Sequence, residues 1–339
     1  MTESEIRIHF FIIAGMKDKI KDGGWVFAGR YDMMTGTKWF PGIKGPDRPE
    51  RRMRMNRFQF GICEWCLPPV GPDVCRLAAG YGLDGVALDM GSLGDGLRLA
   101  DPRIREWYKE ESRKTGVSFC TLALNVLFSF DTVHRGSAGE EAEISRVLDE
   151  AVKAAADLEI PVIQVPNFPG NAITGAEHLA VMAERFRDLC NRARPFGIVI
   201  GTENTLDAEE NRELLRRAGR ENLRVYYDTE NPYYFGFGES PDILAGLEGF
   251  ICQVHVKDGE NGSMSRTPLG KGNGRFMECA QILRSSGYSG WIILENEFKA
   301  WGRDNHRLLA EDVRTMKQAF EGQTGEAGTD PAKDSGRET

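Results

Sequence analysis

Through the middle of the chain, short apolar runs alternate with longer stretches in which apolar residues recur every three or four positions. The runs begin near Phe58 (F-Q-F-G-I-C), Asp84 (D-G-V-A-L-D), Val117 (V-S-F-C-T-L-A-L-N), Pro161 (P-V-I-Q-V-P), Gly197 (G-I-V-I-G-T-E), Leu223 (L-R-V-Y-Y-D), Phe250 (F-I-C-Q-V-H-V-K-D) and Gly290 (G-W-I-I-L-E-N), which makes eight predicted strands. Each is followed by a predicted helix. The clearest places Ile144, Val147, Leu148, Ala151, Val152 and Ala155 at i, i+3, i+4, i+7, i+8 and i+11, one face of a helix. The last helix is predicted from about Asn305 to Phe320. Strands that alternate with helices pair in parallel, and near-continuous apolar strands such as V-I-Q-V and I-V-I imply that both faces are covered. Eight such units between Phe58 and Glu321 fit the ~250 residues of a (β/α)8 TIM barrel. An open doubly wound sheet is the competing α/β fold, but no G-x-G-x-x-G follows the first strand. The expected fold is therefore a single-domain TIM barrel over residues 58–321.

The two ends differ from the middle. Residues 1–57 alternate short apolar patches with Gly, Pro and charge, run through G-I-K-G-P-D-R-P-E-R-R and hold no sustained period. They read as a poorly ordered N-terminal extension. A second reading starts translation at Met53 or Met55, because Glu50-Arg51-Arg52 can be encoded by a purine-rich stretch resembling a bacterial ribosome-binding site. Residues 322–339 contain no Val, Ile, Leu, Met or aromatic residue and read as a disordered tail.

Composition narrows the classes of function. Of 339 residues, 41% are hydrophobic and 28% charged, the balance of a globular protein. The 51 Asp and Glu outnumber the 43 Lys and Arg, for a net charge of -8 and a pI near 5.4, so no nucleic-acid partner is expected. The apolar stretch Ile8 to Gly15 falls far short of the ~20 residues that span a bilayer. It follows no basic segment, so neither a membrane span nor a secretory signal is expected. Cys63, Cys66, Cys75, Cys120, Cys190, Cys252 and Cys279 mostly sit in apolar runs, the usage of a reduced, cytoplasmic protein. Cys63-Glu64-Trp65-Cys66 makes a poor redox or zinc motif, since Leu67-Pro68-Pro69 follows and no second Cys-x-x-Cys completes it.

In such a barrel the chemistry gathers at the carboxyl ends of the strands. Strands five to eight close on metal-type ligands: Glu203 after I-V-I-G-T, Asp228 after L-R-V-Y-Y, His255 within I-C-Q-V-H-V and Glu295 after W-I-I-L. Each alone has an ordinary explanation, a helix N-cap for the carboxylates and a satisfied core residue for the histidine. On four adjacent strands those explanations weaken, because four isolated buried polar groups need four separate compensations. Three carboxylates and one imidazole suit a divalent cation that prefers oxygen, Mn2+ first and then Mg2+, Co2+ or Zn2+.

With the strings T-E-N, Y-Y-D-T-E-N, V-H-V-K-D-G, P-L-G-K-G-N-G-R-F and I-L-E-N, the chain resembles the sugar phosphate isomerase/epimerase family of xylose isomerase-like TIM barrels, from Phe58 to about Phe320. That family includes ketose 3-epimerases, inosose dehydratase and hydroxypyruvate isomerase. The resemblance implies one divalent ion held by Glu203, Asp228, His255 and Glu295, with Glu203 and Glu295 also serving as catalytic acid and base. Ketose 3-epimerases generally carry an Arg six residues after the metal His and a His three after the metal Asp; here those positions are Asn261 and Asn231. Lys257, two after His255, follows the broader family, including its inosose dehydratase-like members.

A divalent ion chelated by a carbonyl and its neighbouring hydroxyl acidifies the adjacent C–H and stabilises the enediolate left behind. Returning the proton to the opposite face inverts the carbon, returning it to the neighbouring carbon interconverts aldose and ketose, and losing a β-hydroxyl gives dehydration. The expected function is a metal-dependent isomerase or epimerase of a sugar, keto-polyol or sugar phosphate. A lyase of the inosose dehydratase type is the alternative, and a non-catalytic sugar-binding barrel the non-enzyme reading. Abasic-site endonucleases of the same superfamily look like three-metal sites with further histidines, whereas His9, His134, His178 and His306 lie off those strand ends. The expected partner is a small-molecule carbohydrate; a homo-oligomer stays open.

Lys257 shares a face of strand seven with His255 and is the candidate substrate-facing cation, or else a lysine paired with Asp258 or another carboxylate. Glu64 and Trp65 after strand one, Asp89 closing strand two, Asn125 after strand three and Asn231 after strand six are the further substrate-binding candidates. Capping and turn roles compete for the acids and amides; Trp65 offers an aromatic face to a sugar ring. The Gly270-Lys271-Gly272-Asn273-Gly274 run precedes a predicted helix, where its N–H groups can hold a phosphate or form a plain loop.

Overall fold

A computed structural model describes residues 58–68 and 71–321; the readings of 1–57 and 322–339 lie outside the described residues. Among these, eight parallel strands close into a barrel in chain order: β1 (Phe58–Cys63), β2 (Gly85–Asp89), β3 (Ser118–Ala123), β4 (Val162–Asn167), β5 (Val199–Asn204), β6 (Leu223–Asp228), β7 (Ile251–Val256) and β8 (Gly290–Leu294). Closure is made by β1 against β8, from Phe58 opposite Gly290 to Ile62 opposite Leu294. The helices are α1 (Val74–Gly80), α2 (Pro102–Thr115), α3 (Ala138–Asp157), α4 (Gly175–Ala193), α5 (Ala208–Ala218), α6 (Asn231–Phe235), α7 (Ser240–Gly246), α8 (Phe276–Ser285) and α9 (Asn305–Glu321). No helix among the described residues is long and apolar enough to cross a membrane.

Local chemistry accounts for the boundaries. α2 starts behind Asp101, whose carboxylate accepts from the Arg103 N–H, with Pro102 at the first helical position, and stops at Gly116 with φ 73°. α3 starts behind Ser137 and buries Ile144, Val147, Leu148, Ala151, Val152 and Ala155, the predicted stripe. The passage from β6 to β7 departs from one helix per unit. It breaks into α6 and α7 because Gly236 (φ 71°) and Gly238 (φ 155°) adopt backbone that ends a helix.

Along each strand alternate side chains face the barrel axis. A Cβ at Gly85 would stand 2.5 Å from the Trp291 ring, and one at Gly201 3.0 Å from Tyr226, so glycine makes room for two large inward residues. Two strand pairs slip. From Val225 opposite Ile251 the β6–β7 register passes to Tyr226 opposite Gln253, skipping Cys252. From Val86 opposite Phe119 the β2–β3 register passes to Ala87 opposite Thr121, skipping Cys120. Such bulges re-aim the side chains beside them.

Candidate active site

The register brings the four predicted ligands to one height. Asp228 stands opposite His255 across β6 and β7, Glu203 is the penultimate residue of β5, and Glu295 follows β8 directly. One ligand atom from each of Glu203, Asp228, His255 and Glu295 lies within 4.8 Å of all the others. Glu203, Asp228 and His255 are buried; Glu295, with 14% of its side chain exposed, is the opening to solvent.

The remaining contacts are divided atom by atom. His255 Nδ1 stands 3.2 Å from Glu295 Oε2 and 3.5 Å from Glu203 Oε1, whereas Nε2 meets the Tyr226 hydroxyl at 3.0 Å. Asp228 Oδ1 accepts from the Glu230 and Asn231 N–H groups at 2.8 and 2.7 Å, at the start of α6. Capping thus accounts for one oxygen only. Asp228 Oδ2 accepts no hydrogen bond and lies 3.2 Å from Lys257 Nζ. Asn231 Nδ2 donates to Glu203 Oε1 at 3.0 Å, and Gln164 Nε2 donates to Oε2. Glu295 Oε1 accepts from Trp65 Nε1 at 3.0 Å, and Oε2 from Lys257 Nζ at 2.8 Å.

Burial and charge pull these groups apart. Burial pushes the Asp228 carboxyl up to about 6 against the attraction of Lys257. For His255 burial acts downward, but the Glu295 and Glu203 carboxylates outweigh it and push the imidazole up to about 10. Lys257 is likewise held charged, well above the ordinary lysine value, because Asp228, Glu295, Glu203 and Glu230 overcome its burial. Burial would raise Glu295, yet His255 and Lys257 hold it well below the usual carboxylate range. The common feature is an excess of buried negative charge that draws in whatever cation it can reach.

That feature, with the buried Asp228 Oδ2 and His255 Nδ1 making no hydrogen bond and only ion-pair contacts, fits a divalent, oxygen-preferring ion. A second grouping, Cys63 with His255 and Glu295, rests on Cys63 Sγ at 3.4 Å from His255 Nε2. This is the other ring nitrogen, so a single ion cannot serve both sets.

Of the remaining predicted residues, Lys257, Trp65 and Asn231 join the group. Glu64, Asp89 and Asn125 form a separate cluster at the β1–β3 end of the rim. Glu64 accepts from Arg98 Nη2 at 2.5 Å, the Asp89 N–H at 2.8 Å and the Tyr108 hydroxyl at 2.7 Å. Asp89, pushed up to about 7 chiefly by burial, accepts from the Gly91 N–H and from Asn125 Nδ2, each at 2.7 Å. Lys257 pairs with carboxylates other than Asp258, namely Asp228 and Glu295. Asp258 instead fills the glycine-rich loop, accepting from the N–H groups of Gly259, Gly270, Gly272 and Gly274 at 3.2, 2.9, 3.0 and 3.0 Å. Those amides are taken by the chain's own carboxylate, where the sequence left a phosphate or a plain loop open. Gln164, Tyr226 and Cys63 escaped the sequence reading. The signal for Gln164 was a lone amide inside V-I-Q-V, and for Tyr226 its place two residues before Asp228 on the same face.

The closed parallel barrel is the fold of the xylose isomerase-like TIM barrels. Residues 75–319 match that family, the xylose isomerase-like TIM barrels, and the chain belongs to it. Its relatives include the 2-epi-5-epi-valiolone 7-phosphate 2-epimerase of an Actinoplanes species, 30% identical over 80% of this chain and 98% of that protein. The L-ribulose-5-phosphate 3-epimerase of Shigella flexneri serotype 5b is 25% identical over 77% of this chain and 94% of its own. In fold the chain resembles D-psicose 3-epimerase of Clostridium cellulolyticum H10, with a TM-score of 0.63 at 14% identity, covering 78% of this chain and 98% of that one.

Proposed function

We propose that the protein is a divalent-metal-dependent epimerase or isomerase of a sugar, keto-polyol or sugar phosphate. Glu203, Asp228, His255 and Glu295 would hold the ion, Mn2+ by preference and otherwise Mg2+, Co2+ or Zn2+. The observation that carries this reading is the convergence of those four ligand atoms within 4.8 Å, with one buried atom of Asp228 and one of His255 facing it without a hydrogen bond. When bound, the ion supplies Lewis-acid polarisation of a substrate carbonyl and so acidifies the C–H beside it. Glu203 on β5 and Glu295 after β8 flank the β6–β7 pair and approach a substrate from two sides, so one removes the proton and the other returns it. Lys257 and Trp65 hold the two oxygens of Glu295, and Asn231 and Gln164 those of Glu203, which fixes each carboxylate for the transfer. Trp65, half-buried and tied to Glu295 through its indole N–H, covers the apolar face of the ring. Asn125, Asp89 and Glu64 would line the far side and meet substrate hydroxyls. The likeness to the Actinoplanes enzyme over nearly its whole length favours a phosphorylated keto-cyclitol or ketose.

Metal-loaded protein incubated in D2O with phosphorylated and free ketoses and keto-cyclitols tests the reading. Expected is deuterium at one carbon beside the carbonyl, with that centre inverted and the skeleton intact. An enone or diketone absorbance would make it a dehydratase on the same site; no exchange with any of the panel, at full Mn2+ occupancy, would defeat the proposal.

A further inference from the structure

The buried polar chain beneath His255 has a direction that can be deduced donor by donor. Gln253 Nε2 donates to the Cys120 carbonyl at 2.8 Å; a carbonyl only accepts, so the amide oxygen of Gln253 is the end that faces Thr121. That oxygen also only accepts, so the Thr121 hydroxyl donates to it. A hydroxyl carries one proton, and toward Tyr226, 3.2 Å away, Thr121 Oγ1 is therefore the acceptor and the Tyr226 O–H the donor. With its proton used, the Tyr226 oxygen accepts from His255 Nε2 at 3.0 Å, and Nε2 carries a hydrogen. Cys63 Sγ, 3.4 Å from the same Nε2, is a weak acceptor and fits that assignment. Nδ1, the nitrogen facing Glu203 and Glu295, is therefore the one that gives up its hydrogen and offers a lone pair when a cation takes its place between the carboxylates.

The barrel is shaped to make this chain. Gln253 follows the residue skipped in the β6–β7 register, and Thr121 follows the one skipped in β2–β3. Cys120, whose carbonyl ends the chain, also lies outside the β3–β4 register, which covers only Leu122 and Ala123. Gly201 clears the space beside the Tyr226 ring. Thr121, Tyr226, Gln253 and His255 are all buried, so no bulk solvent competes for their protons. A row of four polar side chains through a barrel core is costly unless every member is satisfied, and this one is satisfied in one direction only.

We infer that Gln253, Thr121 and Tyr226 are positioning residues that lock His255 with its hydrogen on Nε2 and thereby present Nδ1 to the divalent ion. The inference rests on His255 being a ligand, as the proposed function has it. Groups of this kind typically change metal affinity 10–100-fold when removed.

The test measures Mn2+ affinity by calorimetry for the wild type, Thr121→Val, Thr121→Ser and Tyr226→Phe, with melting temperatures alongside. It adds long-range 1H–15N spectra of 15N-histidine protein loaded with Zn2+, the His255 signals being assigned by their loss in His255→Asn. Thr121→Val frees the Tyr226 proton to turn toward His255 and compete for Nε2. Affinity should therefore fall ~10–100-fold in Thr121→Val and Tyr226→Phe, while Thr121→Ser, which keeps the hydroxyl, stays near wild type. The loaded wild type should show the hydrogen on Nε2 and the metal on Nδ1. Unchanged affinity in both folded variants, or a wild-type spectrum with the hydrogen on Nδ1, overturns the inference. The spectrum decides the matter even if neither variant folds. A wild type without affinity for Mn2+ or Zn2+ defeats the metal reading itself, which is a different result from unchanged affinity in the variants.

Discussion

Glu203 and Glu295 are chemically alike and held differently, and this sets what their replacement does. Glu295 takes an indole N–H on one oxygen and an ammonium on the other, both donor-only, so Glu295→Gln sets an NH2 against a group that cannot turn to accept it. Glu203 takes an amide N–H on each oxygen, and Gln164 or Asn231, whose amide oxygens accept no hydrogen bond, can flip to accept from the NH2 of Glu203→Gln. With metal saturated, either Glu→Gln variant should lose ~10²–10⁴-fold in turnover. Glu295→Gln should in addition melt lower than Glu203→Gln. One-sided exchange of the substrate C–H with solvent deuterium should survive in a single variant and vanish in the double. Near wild-type turnover in either metal-loaded variant would move proton transfer to another rim group, Lys257 being the nearest. At this scale the sequence was readable where a polar residue closes an apolar run, as Asp228 and Glu295 do. It was not readable for Gln164 and Tyr226, because what they touch depends on a register between strands distant in the chain.

At the scale of elements, the loop between β7 and α8 is organised by a residue the sequence placed in another role. Asp258 gathers four N–H groups from Gly259 to Gly274, and Asn296 Oδ1 in turn accepts from the Asp258 N–H at 3.0 Å while its amide donates to Asp312 at 2.7 Å. The carboxylate serves as the loop's core, since a five-residue run of three glycines with Lys271 and Asn273 has no apolar side chain to make one. Asp258→Ala should cost at least the ~1–3 kcal/mol of an unsatisfied buried group, read as a lower melting temperature, and should open Lys271 to trypsin. Resistance at Lys271 equal to wild type would mean that the loop keeps its shape by other contacts. The strands themselves were legible because each joins an apolar run to a turn residue, and α3 because its stripe is regular. The split of the β6–β7 passage into α6 and α7 was not, since the conformations of Gly236 and Gly238 emerge only with the fold around them.

For the molecule as a whole, closure decides what can be removed. β1 joins β8, and the Phe58 ring meets Phe320 of α9 edge-on with centroids 5.0 Å apart. Phe60 and Phe276 pack on the same ring at 6.4 and 6.2 Å. The first strand and the last helix therefore seal one another, and the seal is complete within residues 58–320. Deleting residues 1–54 should leave the melting temperature and the metal response unchanged, because no residue of that seal or of the rim is lost. A ligand that binds only the folded state at a hundred times its Kd stabilises it by ~2.7 kcal/mol. For a barrel of this size that raises the melting temperature by roughly 5–10 °C, in the full chain and the truncated chain alike, and a chelator should reverse it in both. If truncation lowers the melting temperature but leaves the metal-induced rise intact, the extension packs on the barrel away from the rim. If instead the rise disappears with the extension, residues 1–54 contribute to the metal site, and the four ligands on β5 to β8 are not sufficient to hold the ion.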